Sequence, residues 1–199
     1  NSIGLIIYNT ALEMAASAQV TLYLRSGASG ALAAGSPLQV AYARSLSDRV
    51  AQSLARRWPR WMRPKAIVDR ADAYLGWASA VAKGLRGTPV DVVHVMNYWG
   101  WSQRLRGNRL VLEMQSEWLS QMNREAVAEQ LQAVDAVVAV SGHVERLFRA
   151  AFPNYGGIVS VVHNGVNTHQ FCPAPTPRTV SNSQRLLYVG RVSPEKGVH

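Results

Sequence analysis

Five short runs rich in valine and leucine recur along this chain. They are "DVVHVM" (Asp91–Met96), "RLVLEMQ" (Arg109–Gln115), "DAVVAV" (Asp135–Val140), "IVSVVHN" (Ile158–Asn164) and "RLLYVG" (Arg185–Gly190). Runs of this length, apolar on both faces, read as strands of a parallel sheet covered on both sides. Helical or loop segments separate them. Glu117–Ala133 carries Leu119, Met122, Ala126 and Leu131 at helical spacing. Gly142–Phe152 carries Val144, Leu147, Phe148, Ala151 and Phe152, and Pro153 ends it. Such alternation specifies a doubly wound α/β fold, Rossmann-like in layout.

The first half reads less regularly. Ile3, Ile7, Ala11, Met14 and Ala18 recur at helical spacing, so the chain opens inside a helix. Val20–Leu24 and Leu38–Tyr42 read as short strands on either side of a Gly/Ser/Ala-rich connector. Ser45–Trp58 is an amphipathic helix with Leu46, Val50 and Leu54 on its apolar face and Arg49, Arg56 and Arg57 away from it. Ala66–Leu85 carries a continuous apolar stripe, closed by Gly87 and Pro89. A doubly wound domain opens on a strand and a glycine-rich turn, so a first strand is expected ahead of Asn1.

Composition narrows the class. With 48% hydrophobic and 17% charged residues in 199, the chain is an ordinary globular one. No apolar run reaches the ~20 residues needed to cross a bilayer. No secretory signal opens the chain, although it does not start with methionine. The lone Cys172 forbids an internal disulfide and fits a cytoplasmic setting. Charge is the unusual feature. The net charge is +9, and Arg44–Lys65 holds seven basic side chains against one acid, Asp48. Such a local excess points to an anionic partner.

Ligands of open parallel sheets bind beyond the C-terminal ends of the strands. This singles out Asn97–Trp101, Gln115–Trp118, Ser141–His143, Asn164–Asn167 and Gly190–Lys196. Ser141 suits a helix cap, and "NGVN" (Asn164–Asn167) suits a tight turn. Arg191 directly follows Gly190, and Lys196 precedes Gly197 at an expected helix start. Two cations beside a helix N-terminus suit a diphosphate.

Read in order, "DAVVAVSGHVERL", "VVHNGVNTHQF", the Pro-rich "CPAPTPR" and "LLYVGRVSPEKGV" resemble the central part of family 4 retaining glycosyltransferases of the two-Rossmann-domain GT-B fold. The resemblance covers Asp91–His199 well and Asn1–Leu24 loosely. It implies an acceptor-binding domain over residues 1–171, an interdomain linker over 172–184, and the start of a nucleotide-sugar-binding domain over 185–199, truncated at both ends. On that reading the fragment alone is inactive, because most of the donor site lies beyond it. The donor is a nucleotide-diphosphate sugar held by Gly190, Arg191, Lys196 and Gln115. Arg191 and Lys196 act catalytically on the departing diphosphate, with no metal and no cofactor. The acceptor, a glycan, a lipid-linked acceptor or a small molecule, would meet Asn97, Trp99, Ser141 and Asn164.

One departure from the family pattern is Gln115, which stands where many relatives carry histidine. It can hydrogen-bond but not titrate near neutrality. The histidines form no metal-ligand spacing, and His94 reads as a satisfied residue within its strand. Trp58 and Trp61 among the arginines of Arg44–Lys65 suit an anionic membrane surface, which would make the protein peripheral on the inner face of the membrane. Two rival readings exist: a non-catalytic basic module binding membrane or nucleic acid, and a same-fold sugar-nucleotide epimerase. The first leaves the Gly-Arg…Lys-Gly series unexplained, and no nucleic-acid-binding motif is visible, so no nucleic acid is expected.

Overall fold

The computed structural model describes residues 2–25, 38–43, 45–59, 62, 75–97, 99–173, 187–190, 192, 194 and 197. Among them every strand pairs in parallel. β1 (Thr21–Arg25) pairs with β2 (Gln39–Ala43). A second sheet runs β3 (Val93–Met96), β4 (Leu110–Met114), β5 (Ala136–Ala139) and β6 (Ile158–Val161), in that order. Its register sets Val93 opposite Leu110, Val111 opposite Ala136 and Ala136 opposite Ile158. Helix α1 (Ser2–Met14) precedes β1. Helices α2 (Leu46–Arg57) and α3 (Leu75–Leu85) lie between β2 and β3 in the chain. The 3-10 segments η1 (Trp99–Leu105) and η2 (Glu117–Gln121), with α4 (Arg124–Leu131) and α5 (Gly142–Ala151), supply the later connections. The result is an α/β fold of parallel sheets and helices, consistent with a Rossmann-like domain.

Strands that step one way across a sheet, joined by right-handed crossovers, place their connections on one face. Burial follows that rule. Leu110, Leu112, Met114, Val137 and Ala139 are buried against Val81 and Leu85 of α3, Leu105 of η1, Val127 and Leu131 of α4, and Val144 and Phe148 of α5. Val111, Glu113, Ala136 and Val138 alternate with these and are only half-buried. The second sheet therefore has one deep face and one shallow one, where the sequence suggested equal cover. The shallow face carries His94, Glu113 and Ser160, whose polar groups fit its lesser depth.

Local chemistry sets the helix ends. The Ser45 hydroxyl accepts from Asp48 N (3.1 Å), the Asn123 side-chain Oδ1 from Ala126 N (3.0 Å) and the Ser141 hydroxyl from Val144 N (3.3 Å). Asn123 explains one difference from the sequence reading. The helix expected over Glu117–Ala133 is two pieces, because Asn123 starts a new helix after η2 and leaves Met122 exposed.

A second difference concerns α2. Leu46, Val50 and Leu54 are 77%, 58% and 38% exposed, while Asp48 and Ala51 are buried. Asp48 turns this face inward by capping the first turn of α3. Its carboxylate accepts from Gly76 N (2.9 Å) and Trp77 N (2.7 Å). Gly76 permits that approach, since a Cβ there would run into the Ser45 and Ser47 hydroxyls. The stripe expected over Ala66–Leu85 is seen in its described part, where Ala78, Val81 and Leu85 are buried. Residues 66–74 lie outside the described residues.

The chain divides into two compact units, residues 1–165 and 166–199. In the second, residues 187–190 form no strand, and Leu187 and Val189 are exposed. A doubly apolar strand needs neighbours on both sides to bury it, and none is present among the described residues of this unit.

Candidate functional site

The C-terminal ends of β3, β4 and β6 converge on a set of polar side chains. β3 stops at Met96 because Asn97 takes a left-handed backbone conformation (φ 64°), which asparagine tolerates better than most residues. Asn97 N donates to the Glu113 carbonyl (2.8 Å), and the Asn97 side-chain carbonyl accepts from Gln115 N (2.8 Å). The turn after β3 is thereby bolted to the end of β4.

Gln115 reaches across to β6. Its Nε2 donates to Asn164 Oδ1 (3.0 Å), and Asn164 Nδ2 donates back to Gln115 Oε1 (2.7 Å). This reciprocal amide pair joins residues 49 positions apart. Gln115 Nε2 also donates to Glu113 Oε1. The other oxygen, Glu113 Oε2, lies 2.9 Å from His94 Nε2, with 12% of the Glu113 side chain and 29% of the His94 side chain exposed. His163 Nδ1 lies 3.0 Å from the Val140 carbonyl and holds the stretch after β6 against the end of β5.

Of the residues singled out by sequence, Asn97, Gln115 and Asn164 are thus brought together. Ser141 stands at the end of β5 as the cap of α5. Trp99 lies in η1, packed against the core, with its indole N–H directed at Met122 Sδ (3.1 Å). Gly190 is exposed in the second unit. Arg191 and Lys196 lie outside the described residues.

The turn expected at Asn164–Asn167 forms three residues later, over Asn167–Gln170, where Gln170 N donates to the Asn167 carbonyl (3.2 Å). There Asn167 Oδ1 accepts from His169 N (3.0 Å) and Gln170 N (3.1 Å). The reason is that the Asn164 side chain is committed to Gln115, leaving Asn167 to nucleate the turn.

Sequence reasoning missed Glu113. Its signal was an acid inside an otherwise apolar strand, a placement that costs free energy unless the charge is paired. His94 was read as satisfied within its strand, and Glu113 is its partner.

A cleft of about 610 Å³ lies at the other end of the sheet, lined by Leu131, Val134, Phe152 and Tyr155 among others. It adjoins the starts of β5 and β6, opposite to where parallel sheets place their ligands, so the polar cluster is the better candidate. Among the described residues no group of three or more His, Cys, Asp or Glu is arranged to hold a metal. No described helix is long and apolar enough to cross a membrane.

The chain is 26% identical over 141 residues to the protein named "Putative glycosyltransferase YtcC" of Bacillus subtilis (strain 168). The alignment covers 62% of this chain and 35% of that relative, so the chain spans about a third of the relative's length. Residues 4–170 match the family described as Glycosyltransferase Family 4. That match runs from the first helix past the last strand of the sheet, and the chain belongs to Glycosyltransferase Family 4.

Proposed function

We propose that this protein takes part in transferring a sugar from a nucleotide-diphosphate donor to a hydroxyl of an acceptor, with retention at the anomeric carbon and no required metal. The observation that carries the reading is the Gln115–Asn164 amide pair at the strand ends of a family 4 chain. Amides in that position suit the hydroxyls of a sugar.

In this reading Arg191 and Lys196 bind the donor's diphosphate beside Gly190. The bond from the anomeric carbon to the phosphate oxygen breaks, and its electron pair stays on the diphosphate. The acceptor oxygen forms the new bond from the same face, and its proton passes to the departing phosphate oxygen. Charge on the diphosphate grows as the bond breaks. Two cations therefore stabilise the transition state more than the ground state. Gln115 holds the donor sugar, while Asn97, Trp99, Ser141 and Asn164 border the acceptor.

Sugar-nucleotide turnover, assayed on the protein at its full natural length, tests this. Arg191→Ala and Lys196→Ala are each expected to lower kcat by about 10²–10³-fold. Unchanged rates in both would refute the roles assigned to them.

The acceptor on this reading is presented at an anionic membrane surface. α2 supports it: Leu46, Val50 and Leu54 project outward beside the exposed Arg49, Arg56 and Arg57. An exposed apolar stripe flanked by cations matches the interior and headgroups of such a surface.

A further inference from the structure

A glutamine side chain offers two N–H donors and one carbonyl oxygen with two lone pairs. At Gln115 both donors are spent inside the protein, on Glu113 Oε1 and Asn164 Oδ1. One lone pair of its carbonyl is taken by Asn164 Nδ2. What remains is a single acceptor position. The amide cannot be turned the other way, because an ionised carboxylate only accepts, so the NH₂ end must face Glu113. Glu113 is itself held through its second oxygen by His94 Nε2. Hydrogens from His94 and Gln115 thus converge on the Glu113 carboxylate, and one lone pair of the Gln115 carbonyl stays open. Asn164 keeps one free N–H and one free lone pair after its two bonds to Gln115.

We propose that Glu113, braced by His94, is a positioning residue that fixes the Gln115 carbonyl outward, so that the open position on Gln115 receives a ligand hydroxyl and not a phosphate oxygen. A hydroxyl brings the hydrogen that an open lone pair needs. The ionised oxygens of a phosphodiester bring only lone pairs, and an outward carbonyl repels them. The inference rests on the reading above that the site takes a sugar, and it deepens that reading. It assigns the sugar to Gln115 and leaves the diphosphate to cations elsewhere. Without Glu113 the amide could turn either way, and the selectivity would be lost.

The side-chain amide resonances of ¹⁵N-labelled protein at its full natural length test this without any need for turnover. In the ligand-free protein the Gln115 NH₂ hydrogens are expected to exchange with water about tenfold more slowly than those of an exposed glutamine. Glu113→Ala should speed that exchange toward the exposed rate, because it frees the hydrogen that faces the carboxylate. Exchange at the exposed rate in the unsubstituted protein would overturn the proposal, so the test holds even if the variant does not fold.

The second arm is titration of the same resonances with glucose, with its singly deoxyfluorinated analogues, and with dimethyl phosphate, an ionised phosphate that has no hydrogen to donate. Glucose should shift the Gln115 resonances. The analogue whose fluorine replaces the donating hydroxyl should not, because fluorine cannot donate a hydrogen, and phosphate should leave them unmoved. A shift by phosphate and not glucose, or by neither, would overturn the hydroxyl assignment. Slow exchange and a glucose shift in a protein that transfers no sugar would leave this inference standing and remove the transfer reading.

Discussion

Tyr155 shows how closely single residues are tied into this core. Its hydroxyl donates to the Val134 carbonyl (2.9 Å), and its ring meets Phe148 edge-on with centroids 5.5 Å apart. Burial, together with the nearby Asp135 carboxylate, pushes the phenol up to about 12 from its ordinary value of 10.0. A raised folded-state pKa favours the neutral phenol. That contribution to stability is whole below about pH 10 and is lost as pH rises from there through about 12. Denaturant unfolding of the native chain should weaken across that window, and Tyr155→Phe should flatten this part of the profile. Tyrosinate absorbance should show one phenol titrating late. Asp48 makes a second residue-scale case. Asp48→Ala would strip α3 of its cap and cost about 2–3 kcal/mol, a loss measurable by urea denaturation. Neither residue's role was legible in the sequence. Asp48 reads there as a lone acid among arginines, and only the approach of Gly76 shows what it caps. Tyr155 follows Pro153 in what reads as a simple helix stop.

At the scale of elements, strands were easy to read and helix orientation was not. The four runs that became β3 to β6 are short, β-branched and punctuated, and a parallel sheet leaves such segments few alternatives. The fifth run, residues 187–190, shows the limit of that signal: composition proposes a strand, but partners make one. α2 shows a different limit. Its periodicity identified a helix, yet the apolar stripe faces outward because a buried carboxylate and the small Ala51 decide which side packs. That outward stripe makes a prediction. Vesicles containing anionic lipid should sediment the native protein, whereas Leu46→Ser/Val50→Ser/Leu54→Ser should stay in solution. Equal non-binding by both, at low and high salt, would remove the membrane from the account. α5 is the opposite case, an element whose inward face was legible throughout. Phe148 is fully buried, and its ring centroid lies 5.3 Å from that of Phe152. Phe148→Ala should cost about 3–5 kcal/mol in unfolding free energy, whereas Arg146→Ala, on the exposed side of the same helix, should change it little.

Across the whole molecule, one rule carried the site from sequence to structure. Parallel strands put their ligands at their C-terminal ends, and that rule singled out the stretches that open on Asn97, Gln115 and Asn164, which the structure joins by hydrogen bonds. Their mutual bonds were not legible. Asn164 lies 49 residues from Gln115, and nothing local to either announces the other. Glu113 was hidden for a related reason, since its partner His94 sits on the neighbouring strand and the pairing depends on register. The measurement that tests the account most directly is therefore a double-mutant cycle on sugar transfer by the protein at its full natural length. Gln115→Ala and Asn164→Ala should each lower kcat/KM about tenfold or more. The double variant should fall little further, because the two amides act as one unit. Transfer at the unsubstituted rate in all three variants would contradict the claim that these strand ends hold the sugar.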